Sequence, residues 1–273
     1  MNEAVTEDIF TVSSIDGTRI GCVVDGDGPP LLMVHGTGDT HLGWRRVRGL
    51  LRPHFKLYLM DRRGRGVSGD NSDYALEREW GDVAAVLDAI PDVNLFAHSF
   101  GAMCALEGIL RTHKGNLRRA MIYEPSVNRN LRNPVRDKAV DEMGRLIAQG
   151  DRDAVVALHL RSIINVSEES IAKQRSLADS WAIRRGMAHT MPRELLALRD
   201  YQFVPERFAS ITVPMGILVG GKSAEHGQET AHRLHHAVPN SKLFTLEGHG
   251  HFGMLTSPEL FTQTLIEFLT PPR

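Results

Sequence analysis

Between residues 8 and 24 the β-forming positions Val12, Ile20, Val23 and Val24 flank the turn dipeptide Asp16-Gly17, which predicts an opening hairpin. After the punctuation Gly26-Asp27-Gly28-Pro29-Pro30, apolar residues come in short unbroken runs: Leu31-Leu32-Met33-Val34, Leu57-Tyr58-Leu59-Met60, Val93-Asn94-Leu95-Phe96 and Ala120-Met121-Ile122-Tyr123. Runs of this kind suit strands covered on both faces. Between them Leu76, Trp80, Val83, Leu87 and Ile90 recur every three or four residues and mark one face of a helix. Strand followed by helix, repeated, predicts a parallel sheet.

The rhythm changes over residues 125–205, where helix follows helix: Val140, Met143 and Ile147, then Val155 and Leu158, keep amphipathic spacing. Strand character returns at Met215-Gly216-Ile217-Leu218-Val219 and Leu243-Phe244-Thr245-Leu246. A last helix is predicted from Pro258 to Leu269, with Ser257 as N-cap and Pro258 at the first helical position. The expectation is an α/β core at residues 1–124 and 206–273, interrupted by a helical cap at 125–205.

Charge narrows the function classes. Lys+Arg 32 against Asp+Glu 33 leave a net charge of -1, whereas a nucleic-acid binder needs a basic field. Two short arginine clusters, Arg45, Arg46, Arg48 and Arg62, Arg63, Arg65, read as solvated surface. The two cysteines, Cys22 and Cys104, make neither a disulfide framework nor a metal-ligand spacing. An acidic first segment without a signal-peptide core, and no apolar run near the ~18 residues of a membrane span, give the expectation of a cytoplasmic chain that meets neither membrane nor nucleic acid.

The chemistry concentrates at three places. Ala97-His98-Ser99-Phe100-Gly101 joins a strand to the helical run Ala102, Met103, Ala105, Leu106. A serine on such a sharp turn projects its Oγ from the sheet, and the helix N-terminus favours developing negative charge. His35-Gly36-Thr37-Gly38 ends an earlier strand and can aim amide N–H groups at an oxyanion. Thr37 is the expected donor, with Gly38 as fallback and Phe100 supplying the second N–H. In Gly248-His249-Gly250-His251-Phe252 a histidine on a loop beside glycine can reach the serine. His251 is the expected base and His249 its competitor. His35, Gly36, Gly38, His98 and Trp181 are expected to face substrate. No further ligand at close spacing turns the H-x-H pair into a metal site, so neither metal nor cofactor is expected.

In these motifs the chain resembles the α/β-hydrolase superfamily. The matching stretches, in the superfamily's order, are His35-Gly36, Asp61-Arg62-Arg63-Gly64-Arg65-Gly66-Val67-Ser68, the Ser99 elbow and Gly250-His251. The resemblance implies eight strands flanked by helices, a cap after the sixth strand, and a structural role for Asp61 in its loop. It also implies a triad acid after the seventh strand, in a pattern like G-x-x-D. There the chain reads Gly220-Gly221-Lys222-Ser223, with serine in the acid's place. Two replacements are at hand: Glu225, two residues on, and Glu124, closing the sixth strand. Certain haloalkane dehalogenases and a zearalenone-type lactonase resemble the second arrangement. Glu124 is preferred, because a strand end orients the imidazole more rigidly than a loop and keeps the order Ser, acid, His.

Gly216-Ile217-Leu218-Val219-Gly220-Gly221-Lys222-Ser223 also satisfies the P-loop expression. The match fails physically, since Ile217-Leu218-Val219 reads as buried strand where phosphate would need loop N–H groups. The expected function is therefore a serine hydrolase acting on a small-molecule carboxylic ester or lactone through an acyl-enzyme. A C–C bond hydrolase using the same residues and a weakly active ligand-binding receptor are the alternatives. Trp181, Met187, Met191 and Phe203 read chiefly as cap core, and Arg184, Arg185 and Arg193 as solvent-facing.

Overall fold

A computed structural model describes residues 7–127 and 134–270. Among them the apolar runs form one eight-stranded sheet: β1 (Asp8–Ser13), β2 (Arg19–Asp25), β3 (Pro30–Val34), β4 (Lys56–Asp61), β5 (Val93–His98), β6 (Leu117–Tyr123), β7 (Met215–Gly220) and β8 (Ser241–Leu246). The strands lie in the order β1-β2-β4-β3-β5-β6-β7-β8. Strand β2 is antiparallel to both its neighbours, and the other pairs are parallel. Every residue of β5 and β7 is buried, which is why their sequences show no alternation. The P-loop-like stretch accordingly lies largely within β7.

The α-helices are α1 (Arg45–Leu51), α2 (Leu76–Ala89), α3 (Ser99–Ile109), α4 (Pro134–Ala148), α5 (Arg152–Ser162), α6 (Glu168–Arg175), α7 (Ala178–Gly186), α8 (Thr190–Arg199), α9 (Glu225–Ala237), α10 (Gly253–Thr256) and α11 (Pro258–Leu269), and two short 3-10 helices span His41–Trp44 and Pro205–Ser210. One sheet face, with Leu32, Val34, Leu95, Ala97 and Ile122, packs on Val83, Leu87, Met103 and Leu234 of α2, α3 and α9. The other, with Leu31, Met33, Phe96 and Met121, packs on Val47, Leu51, Phe261 and Leu265 of α1 and α11. Alternate strand residues thus feed opposite cores. Helices α4 to α8 carry a third core of their own, including Val140, Met143, Val155, Leu160 and Trp181. Ser257 and Pro258 start α11 as expected, but the Ser257 side chain makes no capping hydrogen bond.

The second arginine cluster is not solvated surface. Arg62 and Arg63 are 0% exposed and Arg65 4%. Arg63 grips Asp82 through two 2.7 Å hydrogen bonds and reaches Asp16 at 2.9 Å. Arg62 lies 2.6 Å from Glu194 on α8, which Arg65 also contacts. Carboxylates remote in sequence make this burial tolerable, because a guanidinium enters a core only when paired. Of the first cluster, Arg45 and Arg46 are exposed as expected, while Arg48 is half-buried against Asp25. Asp61 does organise its loop, accepting from the His41 and Val67 amides and from His41 Nδ1.

No described helix is long and apolar enough to cross a membrane. The chain passes from β3 to β4 on one side and from β5 to β6 on the other. The carboxyl ends of β3 and β5 therefore form a topological switch point, where open α/β sheets leave a crevice.

Candidate active site

At that crevice β5 ends on His98 and α3 begins at once with Ser99, whose φ of 57° lies in the left-handed region. A non-glycine residue there costs of order 1 kcal/mol or more, and the packing around the turn holds it. A Cβ on Gly101 would stand 2.3 Å from the carbonyl oxygen of His35, and one on Gly36 3.0 Å from the Ser99 Cβ. The elbow and the loop after β3 therefore fit only with small residues at those positions.

From the other side, the loop after β8 brings His251 in. It packs tightly on Gly220, where a Cβ would meet the His249 carbonyl at 2.5 Å. The Nε2 of His251 lies 3.0 Å from Ser99 Oγ, and its Nδ1 lies 2.7 Å from Glu124 Oε2. Glu124 closes β6 with φ 43° and its amide donates to the Leu218 carbonyl. Its second oxygen accepts from the Gly220 amide at 2.8 Å and from the Ser223 hydroxyl. Glu225 is exposed at the start of α9, and His249 bonds to Thr256.

Burial pushes the Glu124 carboxyl up, but the hydrogen bond and charge of His251, with the Ser223 and Gly220 donors, outweigh it and hold it below the usual carboxylate range. An ionised Glu124 accepts the proton of Nδ1–H. That tautomer leaves Nε2 as an acceptor, so Ser99 O–H donates to it.

The remaining residues read as substrate-facing are placed differently. His35 is buried, its Nδ1 donating to the Gly36 carbonyl and its Nε2 accepting from the Arg62 amide. It ties the loop after β3 to the one after β4. His98 Nε2 donates to the His251 carbonyl at 2.8 Å, and the two rings meet at a tilt of 44° with centroids 4.5 Å apart. Tyr123 pins the same loop by donating to the Gly250 carbonyl and accepting from the Gly253 amide. Burial first, then the nearby charge of Arg62 for His35 and of His251 for His98, hold both imidazoles neutral. Trp181 donates to Asp153 at 2.6 Å inside the helical insert, so its indole N–H serves that core. Met187 and Met191 join the same core, whereas Phe203 packs on Phe208 in the core of the sheet and not in that of the cap. Arg184 and Arg193 are only partly exposed, donating to the Gly38 carbonyl and to Asp70, while Arg185 faces solvent. Gly38 lies under the insert, where a Cβ would reach 2.9 Å from His159. The amides of Thr37 and Phe100 find no protein acceptor among the described residues.

Two hydroxyls at this site carry no pattern in the sequence. Ser223 fills the position expected to hold the acid, and that vacancy was its only signal. Ser126 has none: its Oγ is 3.1 Å from Ser99 Oγ, and its amide donates to the Ser99 carbonyl at 3.0 Å. A cleft of about 510 Å³ separates the core loops from the insert, lined by Thr40, Leu42, Ser68, Ile183 and Met187 among others, and its walls include neither Ser99 nor His251. No group of three or more His, Cys, Asp or Glu residues is arranged to hold a metal among the described residues.

The model of the alpha/beta hydrolase family matches residues 31–264. A crystal structure of an alpha/beta hydrolase from Sphaerobacter thermophilus superposes with a TM-score of 0.79 at 34% identity, covering 96% of this chain and 100% of that one. The pimeloyl-[acyl-carrier protein] methyl ester esterase of Vibrio cholerae is 24% identical over 90% of this chain and 96% of its own. A putative carbamate hydrolase of Agrobacterium fabrum is 24% identical over 90% and 95%. With the sheet order, the elbow and the family match in agreement, the chain belongs to the α/β hydrolase family.

Proposed function

We propose that the protein is a serine hydrolase that cleaves a small carboxylic ester or lactone through an acyl-enzyme. The observation that carries this reading is the unbroken relay from Ser99 Oγ through the His251 imidazole to Glu124, at 3.0 and 2.7 Å. In the first step Ser99 Oγ attacks the carbonyl carbon while His251 Nε2 takes its proton. The alkoxide oxygen of the tetrahedral adduct is held by the Thr37 and Phe100 amides. His251 then returns the proton to the leaving oxygen, and Glu124 stabilises the transient imidazolium. In the second step a water molecule repeats the sequence on the acyl-enzyme, releasing the acid and free Ser99. Helices α4 to α8 act as the lid, and the reaction needs no cofactor.

The V. cholerae relative, named as a methyl ester esterase, supports ester cleavage as the reaction. Labelling with a fluorophosphonate, read by intact mass, tests the nucleophile. Wild type should gain one adduct and Ser99→Ala none. An unlabelled wild type, or a labelled Ser99→Ala, would overturn the reading.

A further inference from the structure

The second hydroxyl beside the nucleophile has a defined hydrogen-bond sense. Glu124 takes the Nδ1 proton of His251, so Nε2 accepts from Ser99 O–H. With its only proton directed to His251, Ser99 Oγ can meet Ser126 Oγ, 3.1 Å away, only as acceptor. Ser126 is therefore the donor in the resting site. It is held there by its own amide, which donates to the Ser99 carbonyl at 3.0 Å, and by its place two residues beyond Glu124.

Sheet order fixes the side from which it approaches. Strand β5, which carries the nucleophile, lies between β3 and β6. The loop after β3 provides the Thr37 amide, whereas Glu124 and Ser126 follow β6. Ser126 thus meets Ser99 from the side of the acid and base, across from the oxyanion loop. On that side sits the oxygen that leaves during acylation and the water oxygen that enters during deacylation, because both exchange a proton with the same His251 Nε2.

We infer that Ser126 is a further catalytic residue, a second hydrogen-bonding point for the leaving and the attacking oxygen. This rests on the serine-hydrolase reading of the same site. Once Oγ is acylated it no longer has a proton to give His251, and the Ser126 hydroxyl is free to turn toward the incoming water. That water gives one proton to His251 Nε2 as its oxygen bonds the acyl carbon, and directs its other O–H to Ser126 Oγ. The bond from Ser99 Oγ to the acyl carbon then breaks, and Oγ recovers its proton from His251. Ser126 gains and loses no proton; it orients. In acylation the same hydroxyl donates to the departing oxygen.

The test compares wild type, Ser126→Ala and Ser126→Thr on p-nitrophenyl acetate, whose nitrophenolate leaves without help, so that deacylation is exposed. Ser126→Ala should lower kcat roughly 10- to 100-fold, the size of one lost transition-state hydrogen bond. It should also produce a burst of about one equivalent of nitrophenol and shift partitioning of the acyl group from water toward added methanol. The rate of fluorophosphonate labelling at Ser99 should change by less than about threefold, and Ser126→Thr should recover most of kcat. If kcat falls less than about twofold, or labelling slows as much as kcat, Ser126 is not such a point. A wild type unlabelled at Ser99 would instead sink the serine-hydrolase reading itself.

Discussion

Ser223 stands where a carboxylate was expected and donates its hydroxyl to Glu124, the carboxylate proposed as the triad acid. A hydrogen bond to an ionised acceptor is about twice as strong as a neutral one. Loss of this donor lets Glu124 drift and take up a proton more easily. Ser223→Ala should therefore lower kcat on a p-nitrophenyl ester about 5- to 10-fold with KM little changed. The double variant Glu124→Ala with Ser223→Asp should regain at least about tenfold of the activity lost by Glu124→Ala alone, since Gly220 at the end of β7 adjoins the His251 loop. No gain would mean that position 223 cannot reach the imidazole. At this scale the sequence was legible where chemistry demands a local pattern, as at Ser99 and His251. Hydroxyls such as Ser126 and Ser223 act through placement, which the chain does not spell out.

Among the elements, α8 is joined to the core by charge as well as by packing. Glu194 sits between Arg62 and Arg65, with all three side chains fully buried, and Arg62 also lies 4.5 Å over the Phe100 ring. Removing one member of a buried ion pair leaves an uncompensated charge, at about 3–5 kcal/mol. Glu194→Ala should destabilise the fold by about that amount in urea titration, whereas the exposed Glu206→Ala should stay within ~0.5 kcal/mol. A shift below ~1 kcal/mol for Glu194→Ala would show that the arginines find other partners. The strands and α2 were legible because burial on one or both faces writes a period into the sequence. The buried arginines were not, because a charged run reads as surface until its partners are known, and Glu194 is 129 residues from Arg65.

For the molecule as a whole, mild acid should loosen the fold through its buried histidines. His35 and His98 are held neutral by burial, and burial with the charge of Arg184 lowers His159 to about 4. Below the ordinary histidine pKa of ~6.5 the unfolded chain binds protons that these buried rings refuse, so stability rises with pH across that interval. His41 acts oppositely: against its burial, the Asp61 hydrogen bond and charge raise its pKa, so its stabilisation is complete below ~6.5 and is lost as pH rises through the folded value. Burial lowers the half-buried His189 as well, so four lowered rings against one predict a loss of stability from pH 7 to pH 5 by chemical denaturation; a flat profile would contradict their burial as neutral groups. The site itself depends on the same long-range assembly, since β6, the elbow and the loop after β8 must deliver Glu124, Ser99 and His251 to one rim. The most direct test is turnover of a p-nitrophenyl ester by Glu124→Ala and Glu225→Ala beside wild type. Glu124→Ala should lose ~10⁴ in kcat and Glu225→Ala should stay within about twofold of wild type; near-normal turnover by Glu124→Ala would mean that Glu124 is not the triad acid.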